Sequence, residues 1–289
     1  MRFDWYSATV PVPLCGVLMA LRRFFPYGNE EQVRALSRYD DAIESKFGED
    51  RLFRLDGQTD NKTTLITASS DMCPSVVAAI REVWPDHNVS RIDACQDFVG
   101  STVFEDMDAL LVDVALDRGL KLDQMGDWHR KNGRTRYVGA RSSVSRGRLY
   151  EKGWQQFDLA AAGRADLPDD FDITRTRLET QLRPPSRDKL AASKYSPEDV
   201  VAYSEWTKWA HSLMLGFEFA VPLKADRKRS PHDMKMLHLA KQYGRTISKQ
   251  LELCDGSFEL LGKSLFDFVQ EIEERSLRCA NIARASSGK

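Results

Sequence analysis

The sequence lacks the cysteine and histidine patterns that hold zinc or build a disulfide framework. Its five cysteines are scattered and odd in number and contain no CxxC, and its five histidines contain no HxH. Structural zinc sites need closely spaced ligands, and a disulfide framework needs paired cysteines. We therefore expect neither, and interpret the thiols as reduced and mostly buried.

Long apolar runs are also missing. No stretch approaches the roughly 20 apolar residues that span a bilayer. The longest apolar run near the N-terminus, residues 10–21, contains two prolines and a glycine and follows no basic segment. We expect no signal peptide, no membrane contact and a cytoplasmic location.

Excess charge of one sign is absent as well. The chain has 42 Lys and Arg against 43 Asp and Glu, a net charge of −1. The whole-chain field therefore does not attract nucleic acid, and any DNA binding must come from local basic patches.

The patterns that are present predict an α+β domain followed by a helical one. Alternating runs predict strands at 3–10, 63–68, 91–98, 134–138, 147–152 and 174–182, and 3.6-residue periodicity predicts helices at 30–46, 74–84 and 106–118. Ser196 followed by Pro and two acids begins a helix to about residue 215, with further helices from Ser230 and over 258–275. We place an α+β catalytic domain at 1–188 and a helical domain for DNA recognition or oligomerisation at 189–289.

Three of the predicted strands carry charged residues on one face, because residues i, i+2 and i+4 of a strand point the same way. A sheet with one solvated face explains any single such strand. Three together, with carboxylates, an isolated tyrosine and several arginines, favour an active site. The residues in question are Arg91, Asp93, Cys95 and Asp97; Arg146, Arg148, Tyr150 and Lys152; and Arg175, Arg177, Glu179, Gln181 and Arg183.

These residue types are suited to phosphodiester chemistry. Asp93 and Glu179, with Asp97 as a further candidate, offer the hard oxygen ligands that Mg²⁺ or Mn²⁺ prefers. Tyr150 offers an oxygen nucleophile that would form a covalent intermediate. Lys152 would stabilise the tyrosinate or the phosphate. Arg148 completes the predicted catalytic set with Tyr150 and Lys152, because an arginine fork suits bidentate phosphate binding.

Further polar and basic residues are the predicted DNA contacts. The loop 139–147 offers hydroxyls, amides and guanidinium groups, which are natural phosphate ligands, and a helix over 235–249 carries basic residues near one face. The alternatives are an ordinary hairpin loop for 139–147 and an amphipathic helix with a charged exterior for 235–249. The predicted contacts are Arg141, Ser143, Arg146, Arg177 and Arg183, with Lys235, Lys241 and Arg245 in the helical domain.

The ordered motifs RIDACQDF, TRYVGARSS, RLYEKG and RLETQLR, after an opening FDWYSATV, resemble the Rep_trans family of replication initiation factors. That family includes initiators of rolling-circle plasmids, conjugative-transposon proteins and filamentous-phage replication proteins. The resemblance covers roughly residues 3–185. It implies an antiparallel sheet like that of the HUH nickases, with an RRM-like core, but without their paired metal histidines.

The resemblance also implies roles for individual residues. Tyr150 matches the nucleophile of an R-hydrophobic-Y-x-K strand, and Asp93 and Glu179 match the metal carboxylates. The implied activity is nicking of one origin strand, which leaves a 5′-phosphotyrosine link and a 3′-OH primer. Tyr137 is the rival nucleophile, more typical of a core or stacking aromatic.

Two other functions stay open from the sequence. One is an origin-binding regulator with a degenerate site, and the other is a Mg²⁺ nuclease that uses water. The expected partners are single-stranded or cruciform origin DNA and a host helicase. The last helix could pack internally or form a homodimer.

Overall fold

The computed structural model describes residues 1–60, 62–216, 243, 246–268 and 270, and it confirms the α+β class. The described residues form an antiparallel sheet of ten strands with helices packed against it. The strands are β1 (Arg2–Val10), β2 (Asn29–Val33), β3 (Asp41–Phe47), β4 (Asp50–Gln58), β5 (Thr63–Ser69), β6 (Asn88–Phe98), β7 (Leu122–Asp127), β8 (Asn132–Val138), β9 (Ser145–Glu151) and β10 (Thr176–Leu182). The helices are α1 (Leu14–Arg22), α2 (Cys73–Val83), α3 (Val103–Asp117), α4 (Lys152–Ala161), α5 (Pro197–Ala202) and α6 (Glu205–Leu215), with short 3₁₀ turns at Ser70–Met72 and Ala191–Lys194.

The strand order places the three charged strands side by side. It runs β2-β3-β4-β5-β1-β6-β10-β9-β8-β7, and each neighbouring pair is antiparallel. Strand β10 lies between β6 and β9, although β6 ends at Phe98 and β10 begins only at Thr176. Their charged residues can therefore form one surface.

Two apolar cores hold the helices against the sheet. The first combines Tyr6, Ile92 and Leu182 with residues of α1, α2 and α5. The second combines Leu149 and Leu178 with α3 and Ala210 of α6. Ile92, Leu149, Leu178 and Leu182 alternate with the charged residues along β6, β9 and β10, so the helices of these two cores cover the face opposite to the charges.

Most of the predicted elements are confirmed, with shifts of a few residues at their ends. They are the strands that became β1, β5, β6, β8, β9 and β10, and the helices that became α2 and α3. The alternation or the helical periodicity of each is strong over its whole length, which is the condition for a reliable sequence signal. The sequence pattern did not identify four elements, β4, β7, α1 and α4, and it assigned the region of β2 and β3 wrongly.

The helix predicted over residues 30–46 is wrong. Residues 29–33 and 41–47 form the hairpin of β2 and β3 instead, and β3 pairs in turn with β4. The glutamates of this segment favour a helix locally. Pairing with β4, which brings Ala42 and Ser45 into the interior, overrides that preference.

The helix predicted from Ser196 to about residue 215 is broken into two. Ser196 caps α5 as predicted, and the structure adds a reciprocal capping box with Asp199. Ser204 then takes an extended conformation and begins α6. The Thr207 hydroxyl donates to the carbonyl oxygens of Val201 (2.6 Å) and Ser204 (2.9 Å), which holds this corner together.

The chain divides into two compact units, Met1–Ala225 and Asp226–Lys289. Helices α5 and α6 belong to the first unit because Val200, Val201 and Ala210 are buried in its cores. The first unit thus extends beyond the predicted boundary at residue 188. In the second unit, the described residues are helical at 246–253 and 258–268. No helix in the described parts of either unit is long and apolar enough to cross a membrane.

Candidate active site

The register of β6, β10 and β9 aligns the predicted residues in three rows across the sheet. Because the strands are antiparallel neighbours, residues opposite each other share a face. One row contains Asp93, Gln181 and Arg146; the next contains Cys95, Glu179, Arg148 and Tyr137; the third contains Asp97, Arg177 and Tyr150. The structure therefore brings together three strands that are distant in sequence.

Asp93 and Glu179 form a buried carboxyl pair. Both side chains are at most 5% exposed. Burial, together with the negative charge of Asp93, raises the pKa of Glu179 to about 8. Burial also raises the pKa of Asp93, although Arg91 opposes that shift by donating from Nε to Asp93 at 2.9 Å. Because the two carboxyl groups share one buried site, the charge of one disfavours ionisation of the other.

Arg177 is buried between two carboxylates. Its guanidinium donates to both oxygens of Asp97, at 2.5 Å and 2.7 Å, and to Asp4 at 2.7 Å. Both Asp97 oxygens are thus engaged with Arg177 rather than with the Asp93 and Glu179 pair. The bulge in β1 that turns Asp4 toward this face has no signal in the sequence, so Asp4 escaped the sequence analysis.

Tyr150 is buried beside two arginines. Its ring packs against the Arg148 guanidinium, whose carbon lies 3.9 Å from the ring centroid. Burial raises the pKa of the Tyr150 phenol, while the positive charges of Arg177 and Arg148 lower it. The net direction is upward, because the charge of Glu179 adds to the effect of burial, so the phenol is protonated at neutral pH.

Lys152 is the first residue of α4, not the last residue of a strand as predicted. The tight approach of Gly153 to residues 172–173 turns the chain here. Lys152 nevertheless lies near the site. Burial lowers its pKa, and the positive charge of the nearby Arg177 lowers it too. Its Nζ donates to Gln155 at 3.0 Å.

Two small pockets open on either side of Arg148. A cleft of about 270 Å³ is lined by Tyr150, Arg148, Thr135, Gln155 and neighbouring residues of α4. A pocket of about 220 Å³ is lined by Arg91, Tyr137, Arg146, Arg148, Glu179, Gln181 and Arg183. Arg148 lines both, and its guanidinium lies 3.6 Å from a Glu179 carboxylate oxygen.

The carboxyl pair fits a divalent cation that is completed by substrate oxygens. Among the described residues, no group of three or more His, Cys, Asp or Glu side chains could hold a metal ion. Mg²⁺ commonly uses one or two carboxylates together with substrate phosphates. Asp93 and Glu179 supply two such carboxylates, and a cation bound there would share Asp93 with Arg91, which donates to both Asp93 oxygens.

The predicted DNA contacts are only partly brought to this surface. Arg146 and Arg183 line the pocket beside Arg148, and Arg183 donates to the carbonyl oxygen of Arg141 at 2.6 Å. Ser143 stabilises the 140–143 turn through its backbone amide. Lys235, Lys241 and Arg245 lie outside the described residues.

Tyr137, the rival nucleophile, faces a different environment. Its ring packs against Arg146, with 4.0 Å between the guanidinium carbon and the ring centroid. It lies opposite Arg148 in the sheet and lines the pocket that contains Glu179. Geometry alone thus leaves two tyrosines on this face, each paired with an arginine.

Comparison with known proteins gives a likeness among solved structures and no match in sequence. No family model and no curated protein matches the chain. Among solved structures, a rolling circle replication initiator protein from Geobacillus stearothermophilus aligns over 79% of this chain and 88% of its own, with 16% identity and a TM-score of 0.45. A likeness at that level carries no argument about function.

Proposed function

We propose that this protein nicks one strand of DNA with Tyr150 and initiates rolling-circle replication. The observation that carries the proposal is the register of β6, β10 and β9, which places a tyrosine, a carboxyl pair and three arginines on one face. The Rep_trans resemblance of the same motifs supports it independently of the geometry. The host helicase, the origin DNA and a homodimer stay predictions.

The proposed reaction exchanges one phosphoester for another. The Tyr150 oxygen attacks the scissile phosphorus and forms a phosphotyrosine bond with the 5′ end. The bond from phosphorus to O3′ breaks, and O3′ takes up a proton to become the 3′-OH primer. The phenol proton leaves to a base or to water, and the positive charges of Arg148 and Arg177 stabilise the tyrosinate.

The arginines would stabilise the charge that builds on the phosphate. Guanidinium groups donate two hydrogen bonds in one plane, which matches two phosphate oxygens. Arg148 lines both pockets, so it can contact a phosphate beside either Tyr150 or Glu179. Lys152 supplies a second, compact charge at the Tyr150 end.

Mg²⁺ or Mn²⁺ would be held by Asp93 and Glu179. When bound, such an ion would polarise the scissile phosphate as a Lewis acid. Asp97 stays a further candidate ligand; both of its oxygens are paired with Arg177, as both oxygens of Asp93 are paired with Arg91.

The test is covalent transfer of label from DNA to protein. Wild type, Tyr150→Phe and Tyr137→Phe would be mixed with labelled single-stranded oligonucleotides from the host element, with Mg²⁺ or Mn²⁺, and separated on denaturing gels. We expect metal-dependent attachment that Tyr150→Phe abolishes and Tyr137→Phe retains. Tyr137→Phe is the matched control because it removes the same hydroxyl from the same face.

Other outcomes select the alternative functions. Cutting without attachment, retained in Tyr150→Phe, would favour a nuclease that uses water. Loss of attachment in Tyr137→Phe alone would identify Tyr137, on β8, as the nucleophile. Tight origin binding by wild type without any cutting would favour the regulator.

A further inference from the structure

The pocket beside Arg148 is richer in positive charge than in negative charge. Four arginines line it, and Glu179 is the carboxylate among the lining residues. Arg91 is held by Asp93, and Arg148 lies near Glu179. The charges of the remaining two, Arg146 and Arg183, are not matched by a carboxylate within the pocket.

Arg146 in particular has hydrogen-bonding capacity left over. Its guanidinium makes no hydrogen bond or ion pair with any residue in the described part of the chain, and it stacks on Tyr137 instead. The Nε atoms of Arg146 and Arg148 are buried and have no hydrogen-bond partner among those residues. A buried donor without an acceptor is costly, so such groups in a pocket indicate a ligand with acceptor oxygens.

Arg183 is oriented toward the same pocket from the neighbouring strand. Its guanidinium is held by the Arg141 carbonyl oxygen at 2.6 Å, and its backbone amide donates to Val144 at 2.8 Å. The loop 139–147 thus fixes Arg183 on the side of the pocket away from Glu179. A group bound there would meet two guanidinium groups from different strands.

We propose that Arg146 and Arg183 together bind one backbone phosphate of the DNA strand, separate from the phosphate that Tyr150 attacks. This inference rests on the proposed function for the identity of the strand. Arg146 precedes Tyr150 by four residues on the same face, which is about 13 Å along a strand. That spacing corresponds to about four nucleotides at a rise of about 3.4 Å, and to fewer in an extended strand.

The second phosphate site would fix the strand in register with the nucleophile. A single contact at the scissile phosphate leaves the DNA strand free to pivot, whereas two contacts define its path along β9. Tyr137, whose ring lies beneath Arg146, holds that guanidinium in place. Arg146 and Arg183 are therefore positioning residues, and the chemical step itself belongs to the Tyr150 end.

The test measures DNA binding in a protein that cannot react. In the Tyr150→Phe background, the affinity for a 20-nucleotide dT oligomer would be measured over a range of salt concentrations. Each phosphate contact in a single strand contributes about 0.7 to the slope of log affinity against log salt. We expect Arg146→Gln and Arg183→Gln each to lower that slope by about 0.7, and the double variant by about 0.7 as well, because both arginines hold one phosphate.

Two variants serve as controls. Arg130→Gln removes a charge from an exposed turn residue, whose side chain is 79% exposed, and should leave the slope unchanged. Arg146→Lys keeps the charge but loses the planar fork, so it should keep the slope and bind more weakly. Equal melting temperatures of all variants would exclude loss of folding as the cause.

Three results would overturn the inference. Unchanged slopes in both single variants would show that the pocket does not meet DNA. A fall of about 1.4 in the double variant would show two separate phosphates. Binding of inorganic phosphate that Arg146→Gln abolishes, with unchanged DNA slopes, would identify a site for a small free anion. Label transfer is measured separately in protein with Tyr150 intact. A failure of the proposed nicking activity can therefore be distinguished from a failure of the second phosphate site.

Discussion

The Arg148 guanidinium lies 3.9 Å from the centroid of the Tyr150 ring and 3.6 Å from a carboxylate oxygen of Glu179. One side chain thereby links the candidate nucleophile with the candidate metal ligands. Removal of Arg148 should therefore affect both ends of the site, which distinguishes it from arginines that only contact DNA.

Arg148→Gln should slow covalent attachment strongly. Loss of one preorganised donor to a developing oxyanion typically costs about 10²- to 10³-fold in rate. The measurement is the single-turnover rate of label transfer at saturating DNA. Arg148→Lys should recover part of the rate because it restores the charge without the fork. A wild-type rate in Arg148→Gln would remove this residue from the mechanism.

The metal-free protein should lose stability as the pH rises from about 5 to about 8. The folded pKa of Glu179, about 8, lies above its ordinary value, so the folded state binds the proton more tightly than the unfolded state. That contribution to the free energy of unfolding is complete at low pH and is lost as the pH rises through the folded pKa. Urea unfolding at several pH values measures it.

Glu179→Gln is the variant that isolates this effect. It should flatten the pH dependence, because a neutral amide replaces the carboxyl that must ionise. Glu49→Gln, at an exposed position, is the matched control and should preserve the wild-type slope. Mn²⁺ should raise the melting temperature of wild type more at pH 8 than at pH 6, and should not do so for Glu179→Gln. Parallel pH profiles for wild type and Glu179→Gln would contradict the assignment.

Arg177→Met should destabilise the fold by about 3–5 kcal/mol, because it leaves Asp4 and Asp97 without their shared partner. Denaturant unfolding provides the measurement. Adding Asp97→Asn should restore part of the loss, since it removes one uncompensated charge. Arg22→Met breaks an exposed pair with Glu30 and should cost less than about 1 kcal/mol. Equal losses for Arg177→Met and Arg22→Met would refute the buried-triad interpretation.

Gly153→Ala should destabilise the protein and displace α4. A Cβ atom at Gly153 would lie 2.5 Å from the Ile173 carbonyl oxygen and would also collide with the Asp172 carbonyl oxygen. Backbone atoms cannot move aside as a flexible side chain can, so the cost should exceed the roughly 1–3 kcal/mol of ordinary overpacking. Because Lys152 begins the same helix, attachment should fall as well.

Gly262→Ala is the control for that substitution. Gly262 is helical, and outside its chain neighbours and its own helix backbone no atom of the described residues lies within 4 Å of the added methyl group, so alanine should be neutral or stabilising by up to about 1 kcal/mol. Thermal unfolding compares the two variants. A melting temperature of Gly153→Ala equal to that of wild type would show that the turn at residues 151–153 is less constrained than its geometry indicates.

The sequence by itself determined which residues share a face. Alternation along residues 91–98, 146–150 and 177–183 predicts that Asp93, Arg148, Tyr150 and Glu179 point away from the apolar residues between them. The structure agrees, because a two-residue period is a property of any extended strand. Strong local signals likewise predicted the helix cap at Ser196 and helices α2 and α3.

Only the tertiary structure decided which strands are neighbours and which charges pair. The placement of β10 between β6 and β9 depends on long-range hydrogen bonds that no local pattern encodes. The same holds for the β2–β3 hairpin, where pairing with β4 overrides a helical preference, and for Asp97, which Arg177 engages across the sheet. Residue type and spacing set the face of a strand, whereas the partners of a charge depend on packing summed over the whole domain.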